Sequence, residues 1–237
     1  MHALIPVKRF EFAKQRLAGV LTPEERAALV AAMLEDVLAV VGCHPALTGV
    51  LVVSDEPAAR QLARRYQVGY LLESALGASK LNGVVRAAVD WLGRRRVEAV
   101  MVLHADLPLM TAAEISVLTA AHKRSPEPAF TVVPDRRRDG SNCLLCPPGR
   151  GFEFRYGRGS FLRHMRQAAA LGTANCLLDL AGASFDVDWP RDLEELLCRS
   201  DVQGSQSRAL LQNIGLERRL PPIDAPGGTE ILRRVVA

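Results

Sequence analysis

Aromatic residues make up only 5% of this 237-residue chain, and cysteine occurs five times. Scarce aromatics remove the stacking platforms on which nucleic-acid binders lay bases. The charge excess is only +4, and the basic clusters Arg64-Arg65, Arg94-Arg95-Arg96 and Arg136-Arg137-Arg138 are far apart in sequence. They read as solvated helix ends and loops, so no nucleic-acid partner is expected and a small anionic substrate fits better. Also missing is any apolar run near the ~20 residues that a membrane span requires. The first strand starts almost at Met1, which leaves no room for a cleaved leader, so a cytoplasmic protein without a membrane partner is expected. Cys43, Cys143, Cys146, Cys176 and Cys198 are an odd number scattered through apolar segments, the pattern of reduced core thiols. Cys143 and Cys146 look like half a zinc site. In a strand, however, i and i+3 point to opposite faces, and no second pair follows. Finally, neither the glycine spacing of a P-loop nor the dinucleotide fingerprint is present.

What is present is a βαβ rhythm. With 49% hydrophobic residues, the chain has core enough for one large α/β domain, here residues 1–200. Strand-like runs at Ala3 to Val7, Val50 to Ser54, Val68 to Leu72 and Val97 to Leu103 alternate with helical patterns from Pro23 to Val41, Pro57 to Tyr66 and Leu81 to Trp91. Thr22-Pro23-Glu24-Glu25 combines a capping box with proline at the first helical position. Further strands are expected at Ala129 to Val133, Asn142 to Cys146, Asn175 to Leu180 and Ser184 to Val187, with a helix from Phe161 to Leu171. Residues 201–237 read as an appendage with one helical candidate, Ala209 to Ile214, before Pro221-Pro222 and Pro226-Gly227-Gly228. It is expected to pack on the domain or on the partner copy of a homodimer.

Three acids stand where an apolar run ends and a turn begins. Val100 to Leu103 is apolar throughout, as a strand buried on both faces requires, which puts Asp106 near the carboxyl end of a central strand. Ligands of open α/β sheets bind along that edge. In extended chain Asp186 and Asp188 point the same way while Val187 faces the core, so the pair can offer two hard carboxylates to Mg²⁺. The competing reading is aspartate as turn former or helix cap. For Asp106 it weakens, because Thr111-Ala112-Ala113-Glu114 is a capping box of its own. For Asp188 it stands, because Pro190 suits the first turn of a helix through Asp192, Leu193 and Leu196.

Two segments are candidate anion sites. The first loop, Pro6 to Leu17, carries Lys8, Lys14 and Arg16 ahead of the first helix, charge enough to cradle a triphosphate, the alternative being a solvated basic loop. In Arg155-Tyr156-Gly157-Arg158-Gly159-Ser160, two glycines before a serine-capped helix make an anion nest or an ordinary turn. His104 and His164 show no triad logic and default to packing or exposure.

The ordered set Ala3-Leu4-Ile5-Pro6-Val7-Lys8, Ala13-Lys14, Arg16-Leu17, Ala105-Asp106-Leu107-Pro108, Ser141-Asn142, Gly157, Gly159-Ser160-Phe161 and Asp186-Val187-Asp188 with Pro190 resembles the 2-phospho-L-lactate guanylyltransferase family of coenzyme F420 biosynthesis, from residue 3 to residue 199. The resemblance implies a single Rossmann-like, glycosyltransferase-A-like nucleotidyltransferase domain with a central, mostly parallel sheet flanked by helices. It also implies a GTP donor, Mg²⁺, and a three-carbon phospho-acid as acceptor: 2-phospho-L-lactate, 3-phospho-D-glycerate or phosphoenolpyruvate. It assigns Asp106, Asp186 and Asp188 to metal, Lys8, Lys14 and Arg16 to the donor phosphates, Asn82 to the nucleotide, and Ser141, Gly157 and Ser160 to the acceptor. The chain departs from the family in having Ser141 for threonine, Lys80 for glycine before Leu81-Asn82, and Arg158 for proline. The rivals are a molybdopterin or sugar-phosphate nucleotidyltransferase, against which the glycine-free first loop speaks, and a nucleotide-binding module without turnover.

Overall fold

Thr22 accepts a hydrogen bond from the Glu25 amide at 3.2 Å while Glu25 accepts from the Thr22 amide at 2.9 Å, and α1 (Pro23–Val41) starts on this reciprocal cap. The computed structural model describes residues 1–199 and 204–220. Its sheet contains β1 (His2–Pro6), β2 (Gly49–Val53), β3 (Gly69–Leu71), β4 (Val100–Leu103), β5 (Ala129–Pro134), β6 (Ser141–Cys146) and β7 (Ala174–Leu177), in the order β3-β2-β1-β4-β6-β5-β7. Pairing is mostly parallel. Only β6 runs antiparallel to its neighbours, β4 and β5.

Period-two alternation sends successive residues to opposite faces, and both faces are covered. Ile5, Val52, Met101 and Cys143 join one core with α1, α2 (Pro57–Arg65), α4 (Ala112–Arg124) and α6 (Pro190–Cys198). Leu4, Leu51, Val102 and Cys146 join the other with α3 (Lys80–Gly93) and α5 (Ser160–Ala170). Cys143 and Cys146 thus lie on opposite sides of the sheet, as their spacing requires.

Three expected strands differ. The segment from Val97 pairs only from Val100 onward, because Arg94 to Arg96 turn and the Val97 amide bonds back to the Leu92 carbonyl at 3.3 Å. Asn175 to Leu180 keeps strand only as far as Leu177. Ser184 to Val187 forms no strand. A turn closes there through Ser184 N–H to the Leu180 carbonyl, 2.8 Å, and Phe185 N–H to the Gly182 carbonyl, 3.1 Å. Past that turn the Val187 amide donates to the Asp106 carbonyl, beyond the end of β4, at 3.3 Å.

In the tail, α7 (Gln206–Asn213) packs on the α1 side, with Leu211 and Leu216 fully buried in the same core. Asp36 of α1 accepts from Ser205 Oγ at 2.9 Å, the Gln206 amide at 2.6 Å and the Ser207 amide at 3.1 Å. Burial pushes the Asp36 carboxyl up, and these donors oppose the shift. The two proline-rich stretches expected after residue 220 lie outside the described residues.

Candidate active site

A cavity of about 770 Å³ opens at the carboxyl ends of β1 and β4 and is lined by Arg16, Asp106, Ser141, Gly157, Ser160, Asp186 and Asp188. The loop after β1 reaches it by an inward fold. Phe10 and Leu17 are buried on either side of Lys14, and between these anchors Lys14 takes a left-handed φ of +52°. That conformation costs a non-glycine residue about 1 kcal/mol. It brings Lys14 Nζ to 2.5 Å from Asp106 Oδ2 and 2.9 Å from Asp188 Oδ1. Arg16 reaches the other oxygen of Asp188 at 2.8 Å and lies over the Trp189 ring at 4.8 Å.

Neither carboxylate is a helix cap. The box of Thr111 and Glu114 satisfies the start of α4. The start of α6 is held by Asp192, whose Oδ2 accepts from the amides of Asp188 at 2.9 Å and Trp189 at 2.7 Å. The capping role left open for Asp188 therefore belongs to Asp192.

Burial alone would lower the Lys14 pKa, but Asp106 and then Asp188 more than reverse this, so the ammonium is held charged. Burial alone would likewise raise the Asp106 pKa, and Lys14 turns it downward. Asp186 has no such partner. Burial, then the charges of Asp106 and Asp188, push its carboxyl up to about 6. Asn142 Nδ2 donates to Asp186 Oδ1 over a long 3.4 Å.

Among the described residues, no group of three or more His, Cys, Asp or Glu side chains is gathered so as to hold a metal ion, and Lys14 stands between Asp106 and Asp188. A hard cation nevertheless fits the donor chemistry. Among the described residues Asp106 Oδ1 is buried without a hydrogen-bond partner, and no cation pairs with Asp186. Both are deficits that a divalent ion with oxygen preference would satisfy.

Across the cavity, Gly157 and Gly159 have φ of +112° and +69°, a backbone that L side chains rarely adopt. Gly159, not Ser160, is the N-cap of α5; Ser160 is its first residue, and its Oγ accepts from the Ser141 amide at 3.1 Å. The expected nest is also partly filled, since Gly159 N–H donates to Asp139 Oδ1 at 3.0 Å. Arg155 turns away to Glu153 at 2.8 Å.

Two expected residues lie apart from this group. Lys8 is exposed in a separate cavity of about 290 Å³, with Asp55, Glu73, Lys80 and Leu81. Asn82 spends both side-chain atoms on Tyr156, accepting from its amide at 2.7 Å and donating to its carbonyl at 3.4 Å, so it clamps the acceptor-side turn. Lys80 stands at φ +64°, a conformation natural to glycine. Sequence reasoning missed Asp139 and His164, whose partners lie on other elements and leave no local signal, and Asp192, whose bonds to the Asp188 and Trp189 amides are local but whose pairing with Arg136 is not. It also read Arg136 as solvated, whereas this side chain is pinned by Asp192 at 2.7 Å and Glu195 at 2.5 Å over the Phe185 ring.

The family described as guanylyl transferase CofC like matches residues 1–225. The chain belongs to this CofC-like guanylyl transferase family. Among relatives, a phosphoenolpyruvate guanylyltransferase of Sphaerobacter thermophilus is 36% identical over 207 residues, 87% of this chain and 97% of the relative. A 2-phospho-L-lactate guanylyltransferase of Methanothermobacter thermautotrophicus is 31% identical over 212 residues, 90% of each chain. Among solved structures, a protein of Desulfovibrio desulfuricans G20, provisionally described as a nucleotide-diphospho-sugar transferase, superposes with a TM-score of 0.72 at 16% identity, covering 92% of this chain and 96% of the other. A Leptospira borgpetersenii cytidylyltransferase does so with 0.55 at 11% identity, covering 94% and 98%. For this CofC-like chain these likenesses establish the nucleotidyltransferase, glycosyltransferase-A-like fold.

Proposed function

We propose that this chain transfers GMP from GTP to the phosphate of a three-carbon phospho-acid, 2-phospho-L-lactate, 3-phospho-D-glycerate or phosphoenolpyruvate, and releases pyrophosphate. Family membership supports the reaction class and its place in coenzyme F420 biosynthesis. The observation that carries the site assignment is the unpartnered, buried Asp106 Oδ1 beside Asp186 and Asp188 at the strand ends.

An oxygen of the acceptor phosphate attacks the α-phosphorus of GTP, and the bond to the β-phosphate bridging oxygen breaks with its electron pair leaving on pyrophosphate. No general base is required, because a phosphate monoester with a second pKa of about 6 is already largely ionised at neutral pH. The protein's task is to align two polyanions and offset their charge. Mg²⁺ held by Asp106, Asp186 and Asp188 would supply Lewis-acid charge stabilisation at the transferring phosphoryl oxygens. Lys14, between the acids, and Arg16, on the outer oxygen of Asp188, carry the cations for the departing pyrophosphate, and Ser141, Gly157 and Ser160 face the acceptor. Lys8 serves the donor phosphates from the neighbouring cavity, whereas Asn82, which the resemblance gives to the nucleotide, fixes the acceptor-side turn at Tyr156. A cytoplasmic setting is part of this proposal. No helix among the described residues is long and apolar enough to cross a membrane.

The test is pyrophosphate release from GTP and from ATP, each with the three acids in turn. Release with GTP and at least one acid is expected. Equal release without any acid, or none with all three, overturns the assignment.

A further inference from the structure

Behind the acceptor wall, and outside the cavity lining, lies a histidine that the reaction above does not use. His164 is fully buried, with Tyr156 and Phe152 packed against its ring at centroid distances of 5.0 and 5.7 Å. Its Nε2 accepts the Arg155 backbone amide at 2.8 Å. An amide nitrogen can only donate there, so Nε2 carries a lone pair and the single proton of the neutral ring sits on Nδ1. Nδ1 lies 2.9 Å from Ser141 Oγ. The imidazole must therefore donate to the hydroxyl, and the hydroxyl must use its own hydrogen elsewhere.

Ser141 Oγ is buried at the cavity wall and has His164 as its side-chain partner. Next to it, Ser160 Oγ already accepts from the Ser141 amide. Both hydroxyls have accepted from the protein, and each keeps a proton for what lies in the cavity. Two donors without an opposing acceptor match an oxyanion and mismatch a ligand group that itself donates.

We infer that His164 is a positioning residue: through a fixed Nδ1–H tautomer, set by the Arg155 backbone amide, it orients the Ser141 hydroxyl as a donor to an oxyanion of the phospho-acid. The inference rests on the proposed guanylyl transfer for the identity of the ligand, but the direction of the hydrogen-bond chain stands on the protein alone. Burial among aromatic rings supports it by pushing the His164 pKa down to about 4, which keeps the ring neutral when the enzyme works near neutral pH.

The first measurement is ¹⁵N NMR of the histidine side chains in the full-length, substrate-free protein. A protonated Nδ1 and a bare Nε2 are expected for His164; the opposite tautomer, or an imidazolium at pH 7, overturns the inference. The second compares two variants. In His164→Asn the amide nitrogen replaces Nδ1 as a donor, whereas His164→Gln places its amide at the Nε2 position and leaves Ser141 without one. With GTP KM unchanged, acceptor KM should rise about tenfold in His164→Gln and less than about threefold in His164→Asn. Equal rises in both, or a rise confined to GTP, overturn the inference. Wild-type protein that has the tautomer but transfers to no acid removes the functional reading and the acceptor role together. Transfer with the wrong tautomer removes only the device.

Discussion

Lys14 Nζ lies 2.5 Å from Asp106 Oδ2, joining two loops 92 residues apart in the chain. The ammonium holds the ground between acids that a metal would share. Lys14→Met removes the only protein cation bonded to Asp106 among the described residues, and breaking a buried pair by one partner costs about 3–5 kcal/mol. The metal-free variant should melt below wild type, and Mg²⁺ should raise its Tm by more than it raises that of wild type. A smaller Mg²⁺ shift in the variant overturns the view that lysine and metal compete for the same oxygens.

Asp188 tests the same cluster from its open side. Its side chain is 34% exposed and touches both Lys14 and Arg16. Asp188→Ala should leave the melting temperature within a few degrees of wild type but lower guanylyl transfer by about 100-fold or more at saturating Mg²⁺. Pyrophosphate release measures the second effect, and near-normal turnover removes Asp188 from the metal set.

How much of this was readable beforehand follows from the range of each interaction. The capping boxes at Thr22 and Thr111 act within three residues, so the sequence shows them directly. Cys143 and Cys146 fall on opposite sheet faces by strand period alone. Ser184 to Val187 has the alternation of a strand and still forms none, because the Ser184 and Phe185 amides turn back to Leu180 and Gly182 and the Val187 amide goes to the Asp106 carbonyl, beyond the end of β4. The inward fold of Lys14 depends on Phe10 and Leu17 finding the core, and no spacing rule reports that. His164 and Asp139 act on residues 9 to 23 positions away across turns whose shape the sequence does not state.

Gly182 fixes the loop that carries Asp186 and Asp188. Its amide donates to Glu114 Oε1 at 2.6 Å while Glu114 Oε2 serves the Thr111 cap, so one carboxylate joins this loop to the start of α4. A Cβ at position 182 would run into the Leu109 carbonyl and the Glu114 carboxylate. Because backbone is among the obstacles, the loop must move. Gly182→Ala should destabilise the fold by about 1–3 kcal/mol and lower kcat more than acceptor KM. An unchanged Tm and kcat would show that the loop is free to shift without disturbing the acids.

Asp36 holds the tail. It collects the start of α7 through Ser205, Gln206 and Ser207, and Leu211 behind them is fully buried. Asp36→Ala leaves these donors without their acceptor and should cost about 1–3 kcal/mol. Limited proteolysis should then cut near residues 204–207 faster than in wild type, while turnover per folded molecule is retained because α7 contributes no residue to the cavity lining. Loss of activity without faster cleavage would instead tie α7 to the site.

His164 gives the pH dependence a definite sign. Its pKa in the folded protein is lowered to about 4 from the ordinary 6.5, first through burial and then through the positive charge of Arg163. Between these values the unfolded chain binds a proton that the folded chain refuses, so stability is present above pH 6.5 and is lost as pH falls toward 4. A shift of this size corresponds to at most about 3 kcal/mol across the window. Other groups titrate there too, so the quantity to measure is the difference in slope. Urea unfolding from pH 7 to pH 4 should show a steeper loss in wild type than in His164→Asn, whose amide does not titrate. Parallel slopes would mean that the imidazole accepts a proton in the folded state, which the amide of Arg155 facing Nε2 at 2.8 Å should prevent.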